Sequence, residues 1–237
     1  MPDIQRFIAP VIMGAALIGA MVACTNDGLE GPERTTFDDV RHLSVAVDHG
    51  HVMVFGSGQV QGAIVDRWSN EASKFAEQRE RNTGGELVID TRCNDAQACR
   101  VRYDVAVERQ TEVDAHIKDG TLQLSRLGRR LHAVVDSGDV VGRGLATPFA
   151  DISVERGQAR LEFVESPGTL RLRIGEDSEA TVFLPEGQYR CDFDHDADSI
   201  MMEELDCYSH ANSALRIDPP DATIRFEIGF DESSPFH

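Results

Sequence analysis

The sequence predicts an all-β fold: short strands stacked as a β-solenoid or two-sheet array, with one short helical insertion. Three observations carry that expectation. From Phe37 onward apolar and polar residues alternate with a period of two, glycines recur ahead of the alternating runs, and hydrophobic content is 41% with only 6% aromatic residues. Alternation places one face of each strand on a core and the other in water. The composition points to an aliphatic interior in a folded chain.

The amino-terminal segment precedes the fold. Arg6 is followed by Phe7 to Ala23, an uncharged apolar run of about 17 residues broken only by Pro10. That run is at the lower limit for crossing a bilayer core of roughly 30 Å, and its layout is that of a cleaved secretory signal over residues 1–23. It ends in Met21-Val22-Ala23-Cys24, which resembles the lipobox of bacterial lipoproteins. The resemblance implies a diacylglyceryl group on the Cys24 sulfur, with Cys24 as first mature residue. Several acyl chains at roughly 0.8 kcal/mol per buried CH₂ hold a protein on a membrane where one chain does not. Residues 24–37 are polar, contain Gly and Pro and lack periodicity, so a lipidated tether is expected there. Thr25 is not the Asp that favours inner-membrane retention in the lipoproteins this segment is similar to. Outer-membrane display is therefore the expectation in a two-membrane cell.

Residues 38–229 are expected to form the β-repeat domain, with 230–237 as a tail. Alternation is clear at Leu43, Val45 and Val47, and again at Val101, Tyr103, Val105 and Val107. It returns at Ala159, Leu161 and Phe163, at Leu170, Leu172 and Ile174, and at Ile224, Phe226 and Ile228. Residues 69–81 interrupt it with helix formers, which Ser69 or Asn70 would cap and Thr83-Gly84-Gly85 would end, so one short helix is expected, or else a long strand-to-strand excursion. Gly120, Gly138, Gly157, Gly168 and Gly187 each open a run, at spacings of 18, 19, 11 and 19. A coil of about 19 residues holding two short strands follows, with each turn permitted by a glycine free to take positive φ. An ordinary β-sandwich is the alternative, because its strands are also short and evenly spaced.

Ser137-Gly-Asp-Val-Val-Gly-Arg-Gly144, Gly50-His-Val-Met-Val-Phe-Gly56 and Cys93…Cys99 leading into Val101-Arg-Tyr-Asp-Val-Ala-Val107 resemble the bacterial toast-rack family. Its members are regarded as adhesins on exported and membrane-anchored envelope proteins. The resemblance spans about residues 38 to 229 and rests on loose strand motifs. It implies a stacked β-sheet solenoid and an envelope location; it supplies no functional residues. The helical insertion and the acidic segment after Cys191 depart from the pattern.

Five cysteines divide into Cys24 and an even set, Cys93, Cys99, Cys191 and Cys207. In an oxidising compartment Cys93–Cys99 and Cys191–Cys207 are the favoured pairs, since each flanks a polar loop. No C-x-x-C occurs, and the spacings are too wide for a zinc finger.

Charge bounds the partners. Forty-one acidic residues against 23 basic ones give −18, and removing residues 1–23 deletes only Asp3 and Arg6, so the whole charge belongs to the exported part. Nucleic acid is excluded, because binding it needs a positive patch that releases counterions, and anionic lipid headgroups meet the same obstacle. The densest acidic stretch places Asp192, Asp194, Asp196, Asp198 and Glu203 at positions 1, 3, 5, 7 and 12 of a calcium loop. Ala197 replaces the glycine of the sharp turn and no helices flank it, so a solvated acidic loop is the competing reading.

Other strings suggest chemistry without completing it. Asp136-Ser137-Gly138 looks like half of an aspartic-protease site, but that chemistry needs two carboxylates sharing a proton, and a β-turn is the alternative. His49 and His51 lack a third metal donor, and His116, His132 and His210 lack a nucleophile at a known spacing. Trp68 and Phe75 suggest a sugar platform, against simple packing of a strand-end Trp on the helix. Met201-Met202 reads as a local apolar plug. No resident cofactor is expected, apart from calcium in the acidic loop. The resulting expectation is a non-enzymatic lipoprotein of the cell envelope, joined to the membrane by its lipid and contacting an envelope protein or surface ligand. The alternative is an exported domain binding a cation or small ligand through the Cys191–Cys207 loop.

Overall fold

A computed structural model describes residues 28–71, 73, 77–93, 99–193, 200–203, 205–218 and 222–229. Among them the chain forms sixteen strands and no α-helix, and the strands stack as two walls enclosing one aliphatic core. The stacked β-repeat is thus the observed architecture.

Three long strands show how the walls are joined: β2 (His42–Ser57), β7 (Glu112–Ser125) and β8 (Arg130–Leu145). Each serves both walls, its first half pairing in one and its second half in the other. Burial changes parity where they bend: Leu43, Val45 and Val47 point inward before the corner, Val52 and Val54 after it. β7 repeats this with Val113, Ala115 and Ile117, then Leu122 and Leu124. A strand turning around a core must shift its phase there to keep its apolar face inside. Each fully buried aliphatic side chain stabilises the stack by roughly 1.5–3 kcal/mol.

The corner glycines make the bend possible. Gly50, Gly120, Gly138 and Gly157 occupy successive corners in register, with φ between 131° and 155°. A Cβ on Gly120 would lie 1.8 Å from the Gly50 carbonyl oxygen, and one on Gly157 would lie 1.9 Å from that of Gly138. Gly175, at the next bend, faces Glu155 instead, with a Cβ position 2.0 Å from its carbonyl oxygen and no positive φ. The repeat is therefore Gly120, Gly138 and Gly157, at spacings of 18 and 19. Gly168 and Gly187, expected to continue the series, have other neighbours: Gly168 faces Pro148 and Gly187 faces Ser166 and Tyr189.

The first wall runs β4 (Glu77–Thr83), β5 (Glu86–Arg92), the first halves of β2, β7 and β8, then β9 (Phe149–Val154), β11 (Thr169–Ile174), β15 (Ser213–Asp218) and β13 (Tyr189–Phe193). The second runs β1 (Glu30–Phe37), β3 (Ala63–Ser69), β6 (Val101–Glu108), the second halves of the long strands, β10 (Gly157–Phe163), β12 (Glu179–Leu184), β16 (Thr223–Ile228) and β14 (Ile200–Glu203). Pairing is parallel except for β1–β3, β3–β6 and β4–β5. Coil order in space departs from coil order in sequence at both ends. The last coil, β15 with β16, lies between β11/β12 and β13/β14, while β5/β6 lies outside β2.

Two expectations are corrected. Among the described residues the helix predicted over 69–81 is absent. Asn70 Oδ1 accepts a hydrogen bond from the Ser73 amide at 3.0 Å and so caps a single turn, after which Glu77–Thr83 is strand β4, paired with β5. Tertiary pairing overrides helix propensity, and the strand's polar sequence suits an edge that resists further pairing. Part of the span expected to be a tether is instead a strand, because Glu30–Phe37 is β1, paired antiparallel with β3. Trp68 meets no helix among the described residues; Arg102 lies over its ring, 4.8 Å from the centroid.

Candidate binding face

The outer face of the first wall gathers side chains from successive coils into level rows. One row follows register partners across six strands: Asp114 on β7, His132 on β8, Asp151 on β9, Arg171 on β11, Arg216 on β15 and Asp192 on β13. The signs complement one another along it except where Arg171 and Arg216 lie directly opposite. Like charges so placed destabilise a sheet. Each has one carboxylate at the long end of ion-pair range: Asp218 is 3.8 Å from Arg171 and Asp192 is 4.0 Å from Arg216.

The adjacent level holds Arg130 and Phe149, which are also register partners. Phe149 is 55% exposed, and Arg130 has no ion pair among the described residues. Nearby acids are already engaged. Glu112 pairs with Arg129 at 3.1 Å, Asp114 with His132 at 3.2 Å, and Asp151 with Arg173 at 2.8 Å. Three guanidinium groups with donors to spare thus line, together with an exposed aromatic ring, one open groove of about 450 Å³. Within a chain of net charge −18 the groove is locally balanced, with Arg130, Arg171 and Arg216 set against Glu112, Asp114 and Asp151.

A second groove of about 410 Å³ follows the glycine corner between the walls, beside His49, His51, Arg100, Arg102 and Asp119. His49 Nδ1 is 3.2 Å from Asp119 Oδ2. Burial pushes the His51 imidazole below its ordinary pKa, Arg102 adds to the effect and Asp104 opposes it. Asp136 of the D-S-G string pairs with His116 at 3.0 Å, while Gly138 is a corner residue inside the continuous strand β8. The string marks a bend in a strand, where a β-turn between two strands was the expectation.

Cys93 is bonded to Cys99, and Cys191 to Cys207. The first bridge is tied to the wall through Asp48, whose Oδ2 accepts the Cys93 amide at 2.9 Å and whose Oδ1 lies 2.6 Å from Lys118 Nζ. Burial works against ionised Asp48, but the Lys118 ammonium and the Cys93 amide outweigh it and hold the carboxyl below the usual carboxylate range. Tyr189, beside the second bridge, is buried and donates its hydroxyl to the Pro185 carbonyl at 2.7 Å.

Cys24, Phe75, Asp194, Asp196 and Asp198 lie outside the described residues. Of the calcium-loop set the structure describes Asp192, outward on β13, and the backbone of Glu203 on β14. Among the described residues no three His, Cys, Asp or Glu side chains are placed to hold a metal. Met201 and Met202, expected as an apolar plug, are 38% and 40% exposed. Arg130, Phe149, Arg171 and Arg216 were missed by sequence reasoning. Alternation marks the arginines as outward, yet only coil register brings them together.

No family model matches the chain, nor does any curated protein. Among solved structures the fold is similar to a Clostridium sporogenes protein assigned to cell adhesion, with a TM-score of 0.44 and 9% identity over 84% of this chain and 99% of that one. A Parabacteroides distasonis protein assigned to lipid binding gives 0.31 and 9%, over 87% of this chain and 96% of its own. A Parabacteroides merdae protein assigned as an adhesin gives 0.29 and 8%, over 86% and 93%. Similarity at this level concerns architecture and carries no activity across.

Proposed function

We propose that the protein is a non-enzymatic interaction module of the cell envelope, a rigid β-repeat stack carried on a lipid anchor at Cys24 and working through the outer face of its first wall. The observation that supports this most is the juxtaposition of Arg171 and Arg216 in one groove with exposed Phe149 and with Arg130, which has no ion pair among the described residues. Such an arrangement detracts from folding stability and gains meaning when an external group neutralises it. Two disulfides suit an exported location, and Met21-Val22-Ala23-Cys24 supports lipid attachment.

Two measurements test the reading. Metabolic labelling with a fatty acid should mark the wild-type protein and leave Cys24→Ser unlabelled; an unlabelled wild type rules out the anchor. Beads coated with the protein should retain isolated envelope material, and the Arg171→Gln/Arg216→Gln double variant should lose most of that retention. Equal retention by both proteins would remove this face from the function.

A further inference from the structure

We infer that the Arg130, Phe149, Arg171 and Arg216 patch is a binding site for a carboxylated polysaccharide, a chain of hexuronate rings. The inference rests on the interaction-module reading above and names the ligand chemistry of that same face. Guanidinium groups select planar acceptors with two oxygens, so three of them with spare donors call for carboxylates. Phe149, more than half exposed, offers a flat apolar surface at the same place and calls for a ligand with an apolar side next to its charge. A hexuronate ring meets both demands, since it carries one carboxylate and presents a face of C–H groups.

The sheet itself argues against an acidic peptide. The patch lies on the outer surface of β8, β9, β11 and β15, whose backbone groups are used in pairing with neighbours on both sides, so no main-chain edge is open there for an added strand. A phosphate polymer would satisfy the arginines but leave Phe149 uncovered. The groove volume falls within the roughly 300–1,000 Å³ typical of small-ligand sites, enough to seat a short stretch of such a chain. The remaining surface carries the acidic excess and repels a polyanion, whereas here three arginines offset Glu112, Asp114 and Asp151, so the ligand meets the least repulsion on this face.

Isothermal titration of the full-length protein with short oligogalacturonate should show saturable binding, while a neutral galactose oligomer should show none. Arg171→Gln and Arg216→Gln should each weaken binding about tenfold, through loss of a charge-assisted carboxylate contact. Phe149→Ala should weaken it about fivefold by removing the ring surface. Arg225→Gln, on the second wall, should leave it unchanged. Should the wall variants fail to fold, Arg130→Gln, exposed and without an ion pair, is expected to show the same loss. Absence of binding, or binding indifferent to all four patch substitutions, overturns the inference. Equal binding of polyglutamate or polyphosphate with no effect of Phe149→Ala also overturns it, because the patch would then be electrostatic alone. Retention of envelope material by coated beads without oligogalacturonate binding would remove the ligand class and leave the interaction module standing.

Discussion

The Cα of Gly138 faces the carbonyl oxygen of Gly120 so closely that a Cβ at Gly138 would lie 1.8 Å from it. The same approach recurs from Gly120 to Gly50 and from Gly157 to Gly138, forming a continuous glycine ladder along one corner of the stack. Backbone occupies the space where a side chain would begin, so no rotamer change relieves the contact.

Gly138→Ala is therefore expected to destabilise the protein by about 2–5 kcal/mol, combining forced backbone movement with an unfavourable positive φ. Gly187→Ala, with Ser166 Oγ at 3.3 Å from the added Cβ and no positive φ, should change stability by less than about 1 kcal/mol. Urea denaturation of the two variants checks the contrast, and similar losses would show that the ladder is not the constraint.

Cys191–Cys207 closes a loop of sequence separation 16 in the coil that ends the stack. Replacing both cysteines with Ser should lower stability by roughly 3 kcal/mol by freeing the unfolded chain. Peptide mapping without reduction should find this bridge and Cys93–Cys99, and any linkage from Cys24 to another cysteine would contradict the division of the five.

Asp48 joins the first bridge to β7 through Lys118, and its carboxyl is held below the usual range. A depressed folded pKa contributes stability that is present above the unfolded value of about 3.9 and is lost as pH falls through the folded one. Asp48→Asn should lower Tm at pH 7 and flatten the fall in Tm below about pH 4. Parallel acid-melting curves for the variant and the wild type would refute the linkage.

His51 is shifted in the same direction by burial and by Arg102. The fold favours neutral imidazole, so this group's contribution is present above the unfolded pKa of about 6.5 and diminishes as pH falls below it. His51→Gln should narrow the difference in Tm between neutral pH and about pH 5, which differential scanning calorimetry reads directly. An unchanged difference would mean that His51 titrates alike in the folded and unfolded states, and would refute the linkage.

Much of the fold is legible before any coordinates. The alternation at Leu43, Val45 and Val47 assigns these residues to a core face, and the same reasoning holds for Leu170, Leu172 and Ile174, all of them buried. The helix over 69–81 is misread because composition registers local propensity, whereas Glu77–Thr83 became a strand through pairing with β5. Gly168 misled the repeat count because glycines at opposite corners look alike in sequence, and only the corner from Gly50 to Gly157 forms the ladder.

By itself, the sequence determined the period of the strands, hence the all-β class and the inward face of each strand, together with the acidic balance and the cysteine arithmetic. These properties depend on neighbours along the chain. Tertiary structure alone decided which coil lies beside which. Arg171 and Arg216 are separated in sequence by β12, β13 and β14, and they meet because the last coil inserts between β11/β12 and β13/β14. Parallel pairing between coils answers to core filling and edge burial across the whole stack, and a period of two carries no information about either.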